Sequence, residues 1–105
     1  MVFKVSDAQN LSKEPGLERR KFYESDKAIV AQIVLEPGAH LKKHGSEEFA
    51  LIYIISGSIE VETDTETYEA QEGTLLEFQP KEQHGFTNKG DTTAKVLVVR
   101  IKEPK

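Results

Sequence analysis

The sequence predicts an all-β domain, a sandwich or barrel built from short antiparallel strands. Apolar residues recur with a period of two along most of the chain, glycine and proline turns interrupt them at short intervals, and no segment sustains a helical period over three turns. Strands of this kind must hide their edges, and closure into a sandwich or barrel does so.

Each segment has its own warrant. Ser6 to Leu17 reads as a loop or a single helical turn, and the run Arg19-Arg20-Lys21 reads as a solvated basic face. From Lys27 to Leu35, Ala28, Val30 and Val34 share one side of a strand. Ile29, Ala31, Ile33 and Leu35 share the other, the pattern of a strand buried on both faces. Glu36-Pro37-Gly38 ends it. Phe49 to Ile55 is a second apolar strand, and Ser56-Gly57-Ser58 leads from it into the strict alternation of Ile59-Glu60-Val61-Glu62, which together read as a surface hairpin. Thr63 to Thr67 is a polar turn, Tyr68 and Ala70 resume the alternation, and Gln71-Glu72-Gly73 closes it. Leu75, Leu76 and Phe78 precede a polar loop from Pro80 to Gln83. His84 to Asn88 then leads through the turn Lys89-Gly90-Asp91 to the nearly continuous apolar strand Val96 to Val99.

Composition narrows the function classes. A chain of 105 residues with 37% hydrophobic content supports one modest core and a single domain, 1–105. With no cysteine, disulfides, thiolate ligands and thiol nucleophiles are all excluded, and a reducing cytoplasm suits such a chain. The net charge of -4 and the scarcity of basic clusters argue against nucleic acid as a partner. The apolar run Ala50 to Ile55 is too short to span a bilayer, and the N-terminal residues lack the layout of a signal peptide, so a membrane is not an expected partner either. No Gly-x-Ser-x-Gly elbow is present, so covalent acyl chemistry lacks its usual support.

Two clusters carry the chemistry. The first runs from Gly38 through His40, His44, Ser46 and Glu48 to Gly57; the second runs from Gly73 to His84 and Asn88. Their spacing resembles the two motifs of the cupin family, with Gly38, His44 and Gly57 in register with the first and Gly73, His84 and Asn88 with the second. Fifteen residues separate Gly57 from Gly73, which is similar to the shortest spacing in single-domain cupins. The resemblance extends from about Phe22 onward. It implies a cupin-type double-stranded β-helix (a jelly roll) over about 22–102, preceded by an N-terminal strand or arm over about 1–21. It also implies a homodimer in which a strand near Val2 to Val5 joins the partner's sheet.

Cupins hold iron, manganese, nickel or zinc with three histidines and a glutamate, and only two of those four positions keep a ligand here. Ser46 and Ala50 stand where the motif has histidine and glutamate, and Gln79 and Lys81 where it has proline and glycine. The expected pocket is His44, Ser46, Ala50, Gln79 and His84, with Tyr53 as wall or core. Strand parity offers replacements: His40, Ser46 and Glu48 share parity with His44, so an inward Glu48 would complete a set of two histidines and one carboxylate, with His40 as a fourth ligand. A single bulge would reverse that parity and select Glu47 instead. For His40 the plainer reading is an exposed turn residue, for Glu47 and Glu48 a solvated acidic pair, and for Asn88 a turn residue bonding nearby backbone. Two functions stay open: binding of a small polar metabolite, a sugar or organic acid, in the barrel mouth, or a divalent-metal enzyme of isomerase or dioxygenase type.

Overall fold

The computed structural model describes residues 1–103 and shows two antiparallel sheets packed face to face. The strands are β1 (Leu17–Glu24), β2 (Ala28–Leu35), β3 (His40–His44), β4 (Phe49–Ser56), β5 (Ser58–Thr63), β6 (Thr67–Gln71), β7 (Leu75–Phe78), β8 (His84–Thr87) and β9 (Ala94–Ile101). Five form one sheet in the order β1-β2-β9-β4-β7, and four form the other in the order β3-β8-β5-β6. Six of the eight connections, all but β1–β2 and β5–β6, cross between the sheets, which gives the jelly-roll topology that the alternation and turns imply.

The core fills the gap between the sheets. Leu35, Ile52, Ile54, Ile59, Val61, Phe78, Phe86 and Val96 are each no more than 2% exposed. Alternation explains why: in β4, Ala50, Ile52 and Ile54 point inward while Tyr53 and Ile55 point out. Asn88 is buried with them, its amide donating to the Leu35 and Thr92 carbonyls while its side-chain oxygen accepts from the Gly90 N–H. Its side chain therefore holds the turn after β8 together and ties it to the end of β2.

Three features differ from the sequence reading. β4 and β5 form no hairpin: β4 pairs with β7 and β9, β5 with β6 and β8. Gly57 turns the chain from one sheet to the other with φ at +78°, and a Cβ there would lie 2.8 Å from Ala94 Cα, so the corner is too sharp and too close for a side chain. The boundary placed at 21/22 falls inside β1, whose full length is a strand of the five-stranded sheet. Val2 to Val5 form no strand; a 3-10 turn spans Val5–Asp7, and Phe3 packs edge-on against Tyr23 with ring centroids 5.1 Å apart.

The outer faces of the two sheets contrast. On the four-stranded sheet they carry Glu60, Glu62, Thr67 and Glu69. On the five-stranded sheet the registers Val30–Val99–Leu51 and Leu97–Tyr53–Leu75 form two adjoining apolar rows. The double-sided apolar pattern of the 28–35 segment is therefore half satisfied within one chain. Among the described residues no helix is long and apolar enough to cross a membrane.

Candidate functional site

Between the sheets, at the end of the sandwich marked by Arg100 and Ala50, lies a cavity of about 350 Å³. Its floor is apolar, formed by Ala31, Ile33, Ile52, Phe86 and Val98, and its rim is polar, with His44, Ser46 and His84 on one side and Arg19, Lys21 and Arg100 on the other.

The imidazole pair is positioned by β3 and β8. His44 and His84 are register partners across the two strands. Leu41 pairs with Phe86, so an undisturbed ladder would set residue 43 against 84; one extra residue in β3 moves His44 there instead. The rings lie 4.9 Å apart, tilted by 51°. Each Nδ1 sits 3.1 Å from a backbone carbonyl two residues earlier, Lys42 for His44 and Glu82 for His84. An Nδ1 that donates to a carbonyl carries the proton, which leaves Nε2 of the neutral ring as an acceptor.

His84 is only 5% exposed and stacks on Phe78, with centroids 4.1 Å apart and planes 11° from parallel. Burial pushes its basicity below the ordinary histidine range and the adjacent His44 ring adds to this, while the hydrogen bond to Glu82 opposes it. Among the described residues no enclosed side-chain nitrogen or oxygen lacks a partner. Nε2 of His84, which bonds no protein group, is therefore reached from the cavity.

The cations come from β1 and β9. Leu17, Arg19 and Lys21 share the inward side of β1, while Glu18 and Arg20 pair with each other on the outside at 2.8 Å. Lys21 is bonded to Glu24 at 2.7 Å near the surface. Arg100 is held at 3.4 Å by Glu48, and Arg19 has no ion-pair partner among the described residues. The basic run read as a solvated face therefore places two of its three cations at the cavity. The signal was present in the sequence, because Arg19 and Lys21 share parity with the buried Leu17.

The expected pocket residues divide. His44, Ser46, Ala50 and His84 line the cavity, and the Ser46 hydroxyl donates to the Glu48 carbonyl at 2.8 Å. Tyr53 does not, because its odd position in β4 turns it to the outer face, 43% exposed. Gln79 does not either; it continues the outward side of β7 and bonds Glu77 at 3.3 Å. Glu47 is exposed, whereas Glu48 lies on the inward side and is taken up by Arg100. His40 is turned away from the imidazole pair by the bulge that follows it, and its Nδ1 lies 2.7 Å from the Thr87 hydroxyl.

These residues do not fit a divalent ion. Among the described residues no group of three or more histidine, cysteine, aspartate or glutamate side chains is close enough to hold one. Glu48, the carboxylate that parity offers, is paired with Arg100, which itself lines the cavity, and imidazole-carboxylate sites normally need at least three protein ligands.

Solved structures with the same fold are numerous. A predicted oxalate decarboxylase from Thermotoga maritima is 22% identical, with a TM-score of 0.83 over 98% of this chain and 100% of that one. KdgF from Halomonas sp. is 19% identical, with a TM-score of 0.82 over 99% and 96%. The polyketide cyclase RemF from Streptomyces resistomycificus is 23% identical, with a TM-score of 0.80 over 98% and 80%. At these identities the likeness establishes the fold alone. No curated protein matches the sequence significantly. The profile of the cupin domain matches residues 31–100, two thirds of the chain, and with the two motifs in register on a two-sheet jelly roll this protein belongs to the cupin family.

Proposed function

We propose that this cupin binds a small organic acid, holding its anionic group at the rim through Arg100, Arg19 and Lys21 and laying its apolar body on the floor of Ile33, Ile52 and Val98. The observation that carries this reading is the convergence of three cations on one cavity in a chain of net charge -4: Arg19, with no ion-pair partner among the described residues, beside Arg100 and Lys21, which a bound anion would share with Glu48 and Glu24. Arginine beside a desolvated apolar surface suits a carboxylate, because its planar fork donates two parallel hydrogen bonds. His44 and His84 supply Nε2 acceptors when neutral and donors when protonated, so they bond a hydroxyl or a second anionic oxygen of the ligand. The reading narrows the choice between sugar and organic acid to the acid and describes binding without turnover.

Calorimetry with hexanoate tests it. The wild-type protein is expected to bind, and Arg100→Gln to weaken binding at least about tenfold, the scale of one charge-assisted hydrogen bond. Equal affinity in the two proteins rejects the reading.

We also infer a cytoplasmic homodimer paired through the outer face of the five-stranded sheet. The charges at the margins of that face, Glu18, Arg20, Glu77 and Lys95, cancel, so a second copy meets no net repulsion. Strands about 4.8 Å apart, rising about 3.3 Å per residue, give five strands of up to eight residues a plan area of roughly 600 Å². Side-chain relief brings that toward the roughly 800 Å² per partner of a standard interface.

A further inference from the structure

A second depression adjoins the cavity. It has a volume of about 810 Å³ and runs along the open seam of the sandwich, between the segment Leu11 to Pro15 and the free edge of β3. β3 pairs only with β8, so its other edge presents unpaired backbone groups to this groove. Leu11, Arg19 and His44 border both depressions, which makes the groove continuous with the cavity.

Its charge is one-sided. Lys13, Arg19, Lys42 and Lys43 line it against a single carboxylate, Glu14. Lys43 is engaged by Asp64 at 2.8 Å, whereas Lys13 and Lys42 have no ion-pair partner among the described residues. His40 and His44 also line it. Lysines on an ordinary surface are interspersed with acids; here they flank a trough that leads to a cationic pocket.

We propose that the groove is a second anion subsite, so that the ligand is an elongated molecule with two anionic groups, one held at the cavity rim and the other between Lys13 and Lys42. This rests on the organic-acid reading of the cavity and extends it from a monoanion to a dianion. The two sites are joined through Arg19 and His44, and the linker of the ligand would cross there. Tethering two weak anion contacts makes the second effectively intramolecular, so the gain depends on the length between the charges.

The experiment compares linear mono- and dicarboxylates of equal chain length by calorimetry at low salt: hexanoate with adipate, octanoate with suberate. The expected result is that the dicarboxylate of at least one pair binds about tenfold or more tighter than its monocarboxylate. The double variant Lys13→Gln/Lys42→Gln erases that gain while monocarboxylate affinity stays within about twofold. Equal affinities within both pairs, or a gain that persists in the double variant, overturn the second subsite. Hexanoate and octanoate binding that is absent, or indifferent to Arg100→Gln, instead overturns the cavity reading and the subsite with it.

Discussion

His84 is the residue on which the site turns. It is enclosed by Phe78, Phe86 and His44, and burial holds its imidazole neutral below the ordinary histidine range. Because its folded basicity is depressed, its contribution to stability is complete above about pH 6.5. It is lost as the pH falls from there through the lower folded value, since the unfolded chain takes up the proton first. A carboxylate bound within reach of its Nε2, as proposed above, would favour the imidazolium instead. Hexanoate affinity is therefore expected to rise as pH falls below about 6.5, with proton uptake measurable in buffers of different ionisation enthalpy. His84→Gln should flatten that dependence, and an unchanged profile in the variant would show that the imidazole takes no part. Part of this residue's role was legible in the sequence: spacing from Gly73 marked His84, but only the fold could show Phe78 stacked on it. Arg100 was not singled out, because nothing in the run Val98-Val99-Arg100-Ile101 distinguishes an inward guanidinium from an exposed one.

At the level of elements, the period of two located the strands but not their partners. The segment after Gly57 alternates as a hairpin arm does, and local pattern carries no information about which sheet a strand joins. What separates the alternatives is the backbone at Gly57, left-handed and pressed against Thr93 and Ala94. Gly57→Ala is expected to cost about 1–3 kcal/mol in urea denaturation, from positive-φ strain together with the contact. A loss below about 0.5 kcal/mol would mean that the corner relaxes. β3 shows the same limit from another side. Parity joined His40 to His44, and one extra residue between Leu41 and His44 separated them. The sequence admits a bulge there, but its position depends on pairing with β8, a strand some forty residues later in the chain. In β1 the sequence allows a strand but hides its inward side, because three consecutive cations mask the alternation of Leu17, Arg19 and Lys21.

For the whole molecule, the contrast between the sheets is the main result. A sandwich with one polar and one apolar outer face has been left with a surface to cover. Light scattering is expected to report a mass of two chains at micromolar concentration, and Leu97→Glu, which places a charge at the centre of the apolar rows, to report one chain with hexanoate binding retained. A single-chain mass for the unaltered protein would sink the pairing. The family and the jelly roll could be read from two motifs; the pairing face could not, because apolar residues on both sides of a strand signal burial without naming what buries them. The two faces of β9 are also only one backbone apart. Val98 and Arg100 touch the cavity while Leu97 and Val99 lie on the outer rows, and β4 repeats the arrangement with Ala50 and Ile52 against Leu51 and Tyr53. In a dimer built on that face, the wall of each ligand site is also the floor of the contact. A strand that shifted to admit a ligand in one protomer of such a dimer would press on its neighbour and so couple the two sites.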